Sequence, residues 1–259
     1  MSFIVVIPAR YASTRFPGKP LALLAGKPVL QHVYENACAS AAQKVIIATD
    51  DIRIQEEACV FGAEVVMTSQ NHTSGTERLA EVARKLGFKS DTLIINLQGD
   101  EPMLPSLLIN QVADALNGNP AASVSTLCQP ITELNSLLDP NIVKVVFGND
   151  KTAQYFSRAP IPWQVGNFAV DPKSFPENCR YYRHLGIYAY RPRYLKTFVG
   201  LERCPWELAE SLEQLRTLYY GGVISIDIAL TSSGPGIDTP EDLAFAEALF
   251  EKNKDPIKN

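Results

Sequence analysis

The stretch Phe3-Ile4-Val5-Val6-Ile7-Pro8-Ala9-Arg10-Tyr11-Ala12-Ser13-Thr14-Arg15-Phe16-Pro17-Gly18-Lys19-Pro20 opens the chain with an apolar, β-branched run that empties into a loop rich in cations. An apolar run with no polar alternation describes a strand buried on both faces. Runs of the same kind recur at residues 44–49, 64–67, 92–97, 123–127, 143–147, 186–190 and 223–230. Between them, Leu79, Val82, Ala83 and Leu86 fall at helical spacing, and Leu208, Leu212, Leu215 and Tyr219 predict a second amphipathic helix. Buried strands alternating with amphipathic helices imply an α/β fold, a mostly parallel central sheet with helices on both faces in three layers. Ligands of such sheets bind beyond the carboxyl ends of the strands, where this first loop lies.

One domain over residues 1–252 accounts for this alternation, followed by a polar tail over 253–259. Residues 157–176 interrupt it with four prolines and the aromatic pair Trp163 and Phe168. They predict an excursion or small lobe, covering the site or pairing with another subunit.

Composition removes several classes of function. With 24 basic against 28 acidic side chains and a net charge of -4, the chain lacks the positive field that nucleic-acid binding requires. The long uncharged run 115–132 is interrupted by Asn117, Gly118, Asn119 and two prolines, so it predicts no membrane span. The first residues carry no basic segment and reach Pro8 too soon for a signal peptide, which predicts a cytoplasmic location. The five cysteines are dispersed and never spaced as C-x-x-C, and His32, His72 and His184 are equally scattered. This pattern predicts reduced structural thiols and no transition-metal cluster, leaving oxygen ligands for any metal.

Arg10, Arg15 and Lys19 place three cations within ten residues of a loop that also carries hydroxyls and backbone N–H groups. That is a suitable cradle for a triphosphate, although a solvated basic loop would look the same. Neither G-x-G-x-x-G nor G-x-x-x-x-G-K-[ST] occurs in it, which argues against a dinucleotide-dependent oxidoreductase and against a Walker-type site.

The loop pattern P-A-R-x-x-S-T-R-x-P-x-K resembles the signature of sugar cytidylyltransferases. Four further segments sharpen the likeness: His72-Thr73-Ser74-Gly75-Thr76-Glu77-Arg78, Asn96-Leu97-Gln98-Gly99-Asp100-Glu101-Pro102, Arg183-His184-Leu185-Gly186-Ile187-Tyr188 and Gly236-Ile237-Asp238-Thr239-Pro240-Glu241-Asp242. Spanning residues 2–250 in unbroken order, they resemble the 3-deoxy-manno-octulosonate (Kdo) cytidylyltransferase family, with its nucleotide-diphospho-sugar transferase fold.

Asp100 follows an apolar strand and Asp238 sits after a Gly-Pro-Gly turn beyond another; if both strands point the same way, both carboxylates emerge at one edge. Magnesium takes one or two protein carboxylates and completes its shell with water and phosphate. Asp238 also reads as a helix N-cap before Thr239-Pro240-Glu241, a role that Thr239 could fill instead. The resemblance implies that Asp100 and Asp238 hold a catalytic Mg²⁺. It further implies a nucleotide site built from Pro8, Ala9, Arg10, Ser13, Arg15, Lys19, Ser74, Gly75 and Arg78, with Arg10, Arg15, Lys19 and a second Mg²⁺ acting on the departing pyrophosphate. For the sugar it implies Arg78, Gln98, Arg158, His184, Tyr188, Glu210 and Gln214, with Arg78 or Arg158 meeting the sugar carboxylate. Glu210 and Gln214 are expected at i, i+4 on one helix, opposite its apolar stripe, and Ser74 doubles as a helix cap.

The implied reaction is transfer of CMP from CTP to the anomeric hydroxyl of Kdo, giving CMP-Kdo and pyrophosphate for lipopolysaccharide synthesis, by a homodimer. Rival readings are a cytidylyltransferase for 8-amino-Kdo or a sialic acid, and a nucleotide-binding regulator without turnover.

Overall fold

Val5, Val6 and Ile7 expose no surface at all, as a strand walled by helices on both sides requires. In the computed structural model, which describes residues 2–12, 15–165, 174–176 and 179–254, these residues form β1 (Phe3–Ala9) near the middle of a nine-stranded sheet. β1 pairs in parallel with β4 (Lys44–Thr49) on one side and β6 (Leu93–Asn96) on the other, and β4 pairs in parallel with β5 (Glu64–Met67). Beyond β6 lie β10 (Tyr181–Tyr190), β7 (Val124–Ile131) and β11 (Ile224–Ile228). β10 is antiparallel to both of its neighbours, and β11 is parallel to β7. It follows that β1, β6 and β11 all run in one direction and end at one edge.

The mostly parallel sheet therefore matches the sequence reading, and each predicted strand is present. The run at 186–190 is the second half of the ten-residue β10. Two strand features were not predicted: β9 (Ala153–Ser157), which pairs with β8 (Lys144–Phe147), and a short hairpin of β2 (Leu23–Leu24) with β3 (Lys27–Pro28).

Strand periodicity sorts the core. Val5 and Ile7 face one layer, with Leu30 and Val33 of α1 (Val29–Cys38) and Leu108 and Val112 of α4 (Ser106–Gly118). Val6 faces the other, with Leu79 and Val82 of α3 (Gly75–Lys85) and Leu195 of α6 (Pro192–Phe198). The remaining helices among the described residues are α2 (Ile52–Val60), α5 (Leu134–Leu138), α7 (Pro205–Glu210), α8 (Gln214–Tyr219) and α9 (Pro240–Lys254). None is long and apolar enough to cross a membrane.

The stripe through Leu208 and Tyr219 is corrected. Ser211 adopts a left-handed conformation, φ 52°, and splits the segment into α7 and α8. Leu212 and Leu215 are buried, but Leu208 and Tyr219 are 56% and 44% exposed. Glu210 and Gln214 therefore do not share a helix face: Glu210 ends α7, and Gln214 is buried at the start of α8. The break lets Glu207 reach across it. Arg216 Nε donates to Glu207 Oε2 and Arg216 Nη2 to Oε1, both at 2.7 Å, in a forked pair with each side chain about 5% exposed.

Burial opposes the charge on Glu207, but the bonds from Arg216 and Arg203 outweigh it and hold the carboxyl below its usual range. Replacing Arg216 with Met leaves that carboxylate buried and unpaired, and should cost about 3–5 kcal/mol in urea unfolding at pH 7. Because the folded pKa is depressed, the pair's contribution is fully present above about pH 4.3, the ordinary glutamate value, and is lost as pH falls through the lower folded value. The gap between wild type and Arg216→Met should narrow over that acid range.

Candidate active site

Past the ends of β1 and β6 the chain forms a cleft of about 340 Å³ lined by Pro8, Ala9, Arg10, Arg15, Lys19, Ser74, Gly75, Arg78, Gln98, Asp100 and Asp238. Gly99 lets these elements approach: a Cβ there would stand 3.0 Å from the Pro8 carbonyl oxygen, whereas one on Gly75 would make ordinary contacts, 3.5 Å from the Pro8 ring and 3.9 Å from Gln98 Oε1. Below them Asn96 is buried, its Oδ1 without a hydrogen-bond partner among the described residues.

The acidic pair meets on the loop lysine. Lys19 Nζ donates to Asp100 Oδ2 at 2.6 Å and to Asp238 Oδ1 at 3.1 Å, while Arg15 Nη2 lies 3.0 Å from Asp238 Oδ2. Asp238 arrives from β11 by a route that only small residues permit. Ile237 N donates to the Asp100 carbonyl at 2.8 Å, and a Cβ on Gly234 would lie 2.6 Å from Met103 Cβ. The cap role falls to Thr239. Its Oγ1 accepts from Asp242 N at 3.2 Å, while Asp242 Oδ2 accepts from the N–H groups of Asp238 and Thr239. This reciprocal capping box releases the Asp238 carboxylate to face the cleft.

The two carboxylates thus converge on one cation, with hard oxygen donors and an open side toward the cleft. This donor set fits a magnesium ion, which needs few protein ligands and keeps positions for water and phosphate. No group of three or more His, Cys, Asp or Glu that could hold a metal occurs among the described residues.

Ser74 caps α3, its hydroxyl accepting from Glu77 N at 3.2 Å. Arg78 lines the cleft but is 4% exposed, with Nη2 donating to Asp50 Oδ2 at 3.0 Å and Nη1 to Thr68 Oγ1. Arg10 is exposed at the mouth and makes no ion pair among the described residues. Ser13, the centre of the 157–176 excursion and the end of the tail lie outside the described residues.

The remaining sugar candidates stand apart from this cleft. Arg158 Nε donates to the Glu210 carbonyl at 2.7 Å and its Nη1 to Pro140 O at 2.9 Å, while Glu210 accepts from Ser157 Oγ and Arg158 N. Tyr188 is buried opposite Asn96 in the sheet, and burial raises its phenol well above the ordinary value. His184 lies 2.9 Å from Thr126 Oγ1. Thr126 Oγ1 also lies 3.1 Å from the Leu185 carbonyl oxygen and 2.8 Å from that of Ile187. Burial pulls His184 down to about 3, so the ring is neutral.

His184 also lines a smaller cavity of about 240 Å³ with Glu101, Arg183, Gly186 and Ser233. The neighbours Asp100 and Glu101 thus face adjoining spaces. Burial and the Asp100 charge, opposed by Arg183, push Glu101 up to about 8, keeping it protonated at neutral pH. Sequence reasoning missed Glu101, although it stands within the Gln98–Pro102 motif. It also missed Asp50, which the carboxyl end of β4 delivers to Arg78, and Glu213, which faces Ser74 and Thr76.

A family model described as cytidylyltransferase matches residues 4–228. The 3-deoxy-manno-octulosonate cytidylyltransferase of Marinobacter nauticus is 54% identical over 256 residues, covering 97% of this chain and 98% of the relative. That of Pseudomonas syringae pv. syringae is 51% identical over 250 residues, covering 96% and 98%. A solved CMP:2-keto-3-deoxy-manno-octonic acid synthetase complexed with CTP superposes with a TM-score of 0.86 at 41% identity, covering 97% of this chain and 99% of that one.

The Gly234 contact yields a direct check on the route to Asp238. Gly234→Ala forces a Cβ into Met103 and should lower stability by about 1–3 kcal/mol, read by thermal unfolding, and Met103→Gly in the same chain should restore most of it.

Proposed function

Because the chain belongs to the cytidylyltransferase family, within its 3-deoxy-manno-octulosonate branch, we infer that it transfers CMP from CTP to the anomeric hydroxyl of Kdo. The hydroxyl oxygen attacks the α-phosphorus in line, the bond to the β-phosphate oxygen breaks, pyrophosphate leaves and the hydroxyl proton passes to solvent. The observation that carries this reading is the convergence of Asp100 and Asp238 in a cation-lined cleft at the strand ends.

Arg10, Arg15 and Lys19 bind the triphosphate and neutralise charge that builds on the departing pyrophosphate. Pro8, Ala9 and the backbone around Ser74 and Gly75 offer donors and acceptors to a small base. Arg78, held by Asp50, braces that wall and adds a fixed positive charge. The sugar takes the side of Gln98 and His184. Arg158, Glu210 and Gln214, which stand apart from the cleft, are kept as further sugar contacts on the strength of the family resemblance alone. Asp100 and Asp238 would hold a Mg²⁺, which when bound polarises the α-phosphate and lowers the pKa of the attacking hydroxyl. Positioning and charge stabilisation supply the rate without a covalent intermediate.

The same reading assigns the chain to the cytoplasm and to lipopolysaccharide assembly. Five free cysteines suit a reducing compartment. It also assigns a homodimer. Trp206, Leu208, Tyr219 and Tyr220 are 42–56% exposed, and ring contacts join Trp206 to Tyr219 and Tyr219 to Tyr220. Trp163 and Val165 of the excursion are more exposed still. Large apolar side chains of this kind suit burial against a second copy. Sedimentation should give twice the 28.5 kDa chain mass, and Trp206→Glu should shift it toward one; a wild-type monomer would remove the assignment.

Asp100→Asn should keep the fold and slow pyrophosphate release from CTP and Kdo by about 10² or more. Undiminished release would reject the metal role. A parallel panel with 8-amino-Kdo and sialic acid identifies the acceptor, and no release with any of them would leave a nucleotide-binding regulator.

A further inference from the structure

Lys19 is needed in two places. Its loop position assigns it to the triphosphate, yet its ammonium lies between the two carboxylates that would hold a metal. Only 10% of its side chain is exposed, against 58% for Arg15, the second cation on Asp238. Two carboxylates, one ammonium and one guanidinium make a cluster of zero net charge. A nitrogen seated 2.6 Å from Asp100 Oδ2 fills the volume that an ion at a magnesium–oxygen distance of about 2.0–2.1 Å would use.

We propose that Lys19, helped by Arg15, is a built-in counter-cation that fills the metal position in the nucleotide-free protein and vacates it when a nucleoside triphosphate arrives. Divalent-cation binding at Asp100 and Asp238 is thereby coupled to nucleotide binding. The inference rests on the metal reading given above.

Charge supports the exchange. One divalent cation replaces two monovalent ones, so the acidic pair stays neutralised, and the freed Lys19 and Arg15 meet the anionic triphosphate in the same cleft. Without that anion the two side chains would trade carboxylate partners for water alone, so a free divalent ion gains little by displacing them. The movement is confined to the side chain. Gly18 N donates to Tyr11 O at 3.0 Å, Leu21 N to Gly18 O at 2.9 Å and Ala22 N to Lys19 O at 3.1 Å, fixing the loop backbone on both sides of Lys19.

The test measures Mn²⁺ alone, by the electron paramagnetic resonance signal of the free ion, on nucleotide-free protein. Wild type and Lys19→Arg should bind it weakly. Lys19→Met should bind about tenfold tighter or more, and Asp100→Asn in that background should abolish the gain. Mn²⁺ should also raise the melting temperature of Lys19→Met more than that of wild type. Should Lys19→Met fail to fold, Arg15→Ala, whose side chain is mostly exposed, should show the same change at smaller size. Equal Mn²⁺ affinity in wild type and these variants, with Asp100→Asn still weakening Mn²⁺ binding in the presence of CTP, overturns the counter-cation role and leaves the metal site standing. Mn²⁺ binding that ignores Asp100→Asn in every background removes the metal site and this inference together.

Discussion

Two carboxylates far apart in the chain, Asp100 and Asp238, share one ammonium group, so their oxygens stand within about 6 Å of each other. At an effective dielectric near 20 such a pair repels by roughly 3 kcal/mol, an approach that folding would avoid unless something cationic were supplied. Lys19 and Arg15 supply it. The first loop, the turn after β6 and the segment after β11 are therefore placed by one another, and loss of any one leaves the others with charge to dispose of.

The sheet makes the meeting possible but does not complete it. β6 and β11 point the same way yet are separated by β10 and β7, so Asp238 must be carried back across two strands. The Gly-Pro-Gly segment does this by passing tightly over the turn at Asp100–Met103. Its two glycines fit because side chains there would collide with Met103 or crowd Glu101. The Thr239–Asp242 box then starts α9 without drawing the Asp238 carboxylate into the cap.

What the sequence disclosed follows the same division. Continuous apolar runs marked the strands because burial on both faces leaves no room for polar alternation, and the cations of the first loop were visible as charges near a strand end. Strand direction was not visible. The run at 186–190 looks the same whether parallel or antiparallel, and only pairing made β10 the reversed strand between β6 and β7. Periodicity also carried the Leu208–Tyr219 stripe straight through Ser211, where a single left-handed residue ends one helix and allows the Glu207–Arg216 pair to close. The destination of each charge was least legible. Arg78 turned to Asp50 and Lys19 to the acidic pair, choices settled by distances across the fold that no local pattern encodes.

The groups around the acidic pair explain why its charge balance is so confined. His184, which could have been an acid, is held neutral by burial. Glu101, which could have been a third anion, keeps its proton at neutral pH because burial and Asp100 oppose its ionisation more than Arg183 favours it. His184 and Glu101 thus add no charge of their own beside the acidic pair at neutral pH. That arrangement suits a reaction whose barrier lies in charge moving along a polyphosphate, since a fixed field lowers such a barrier without reorganising while the charge moves.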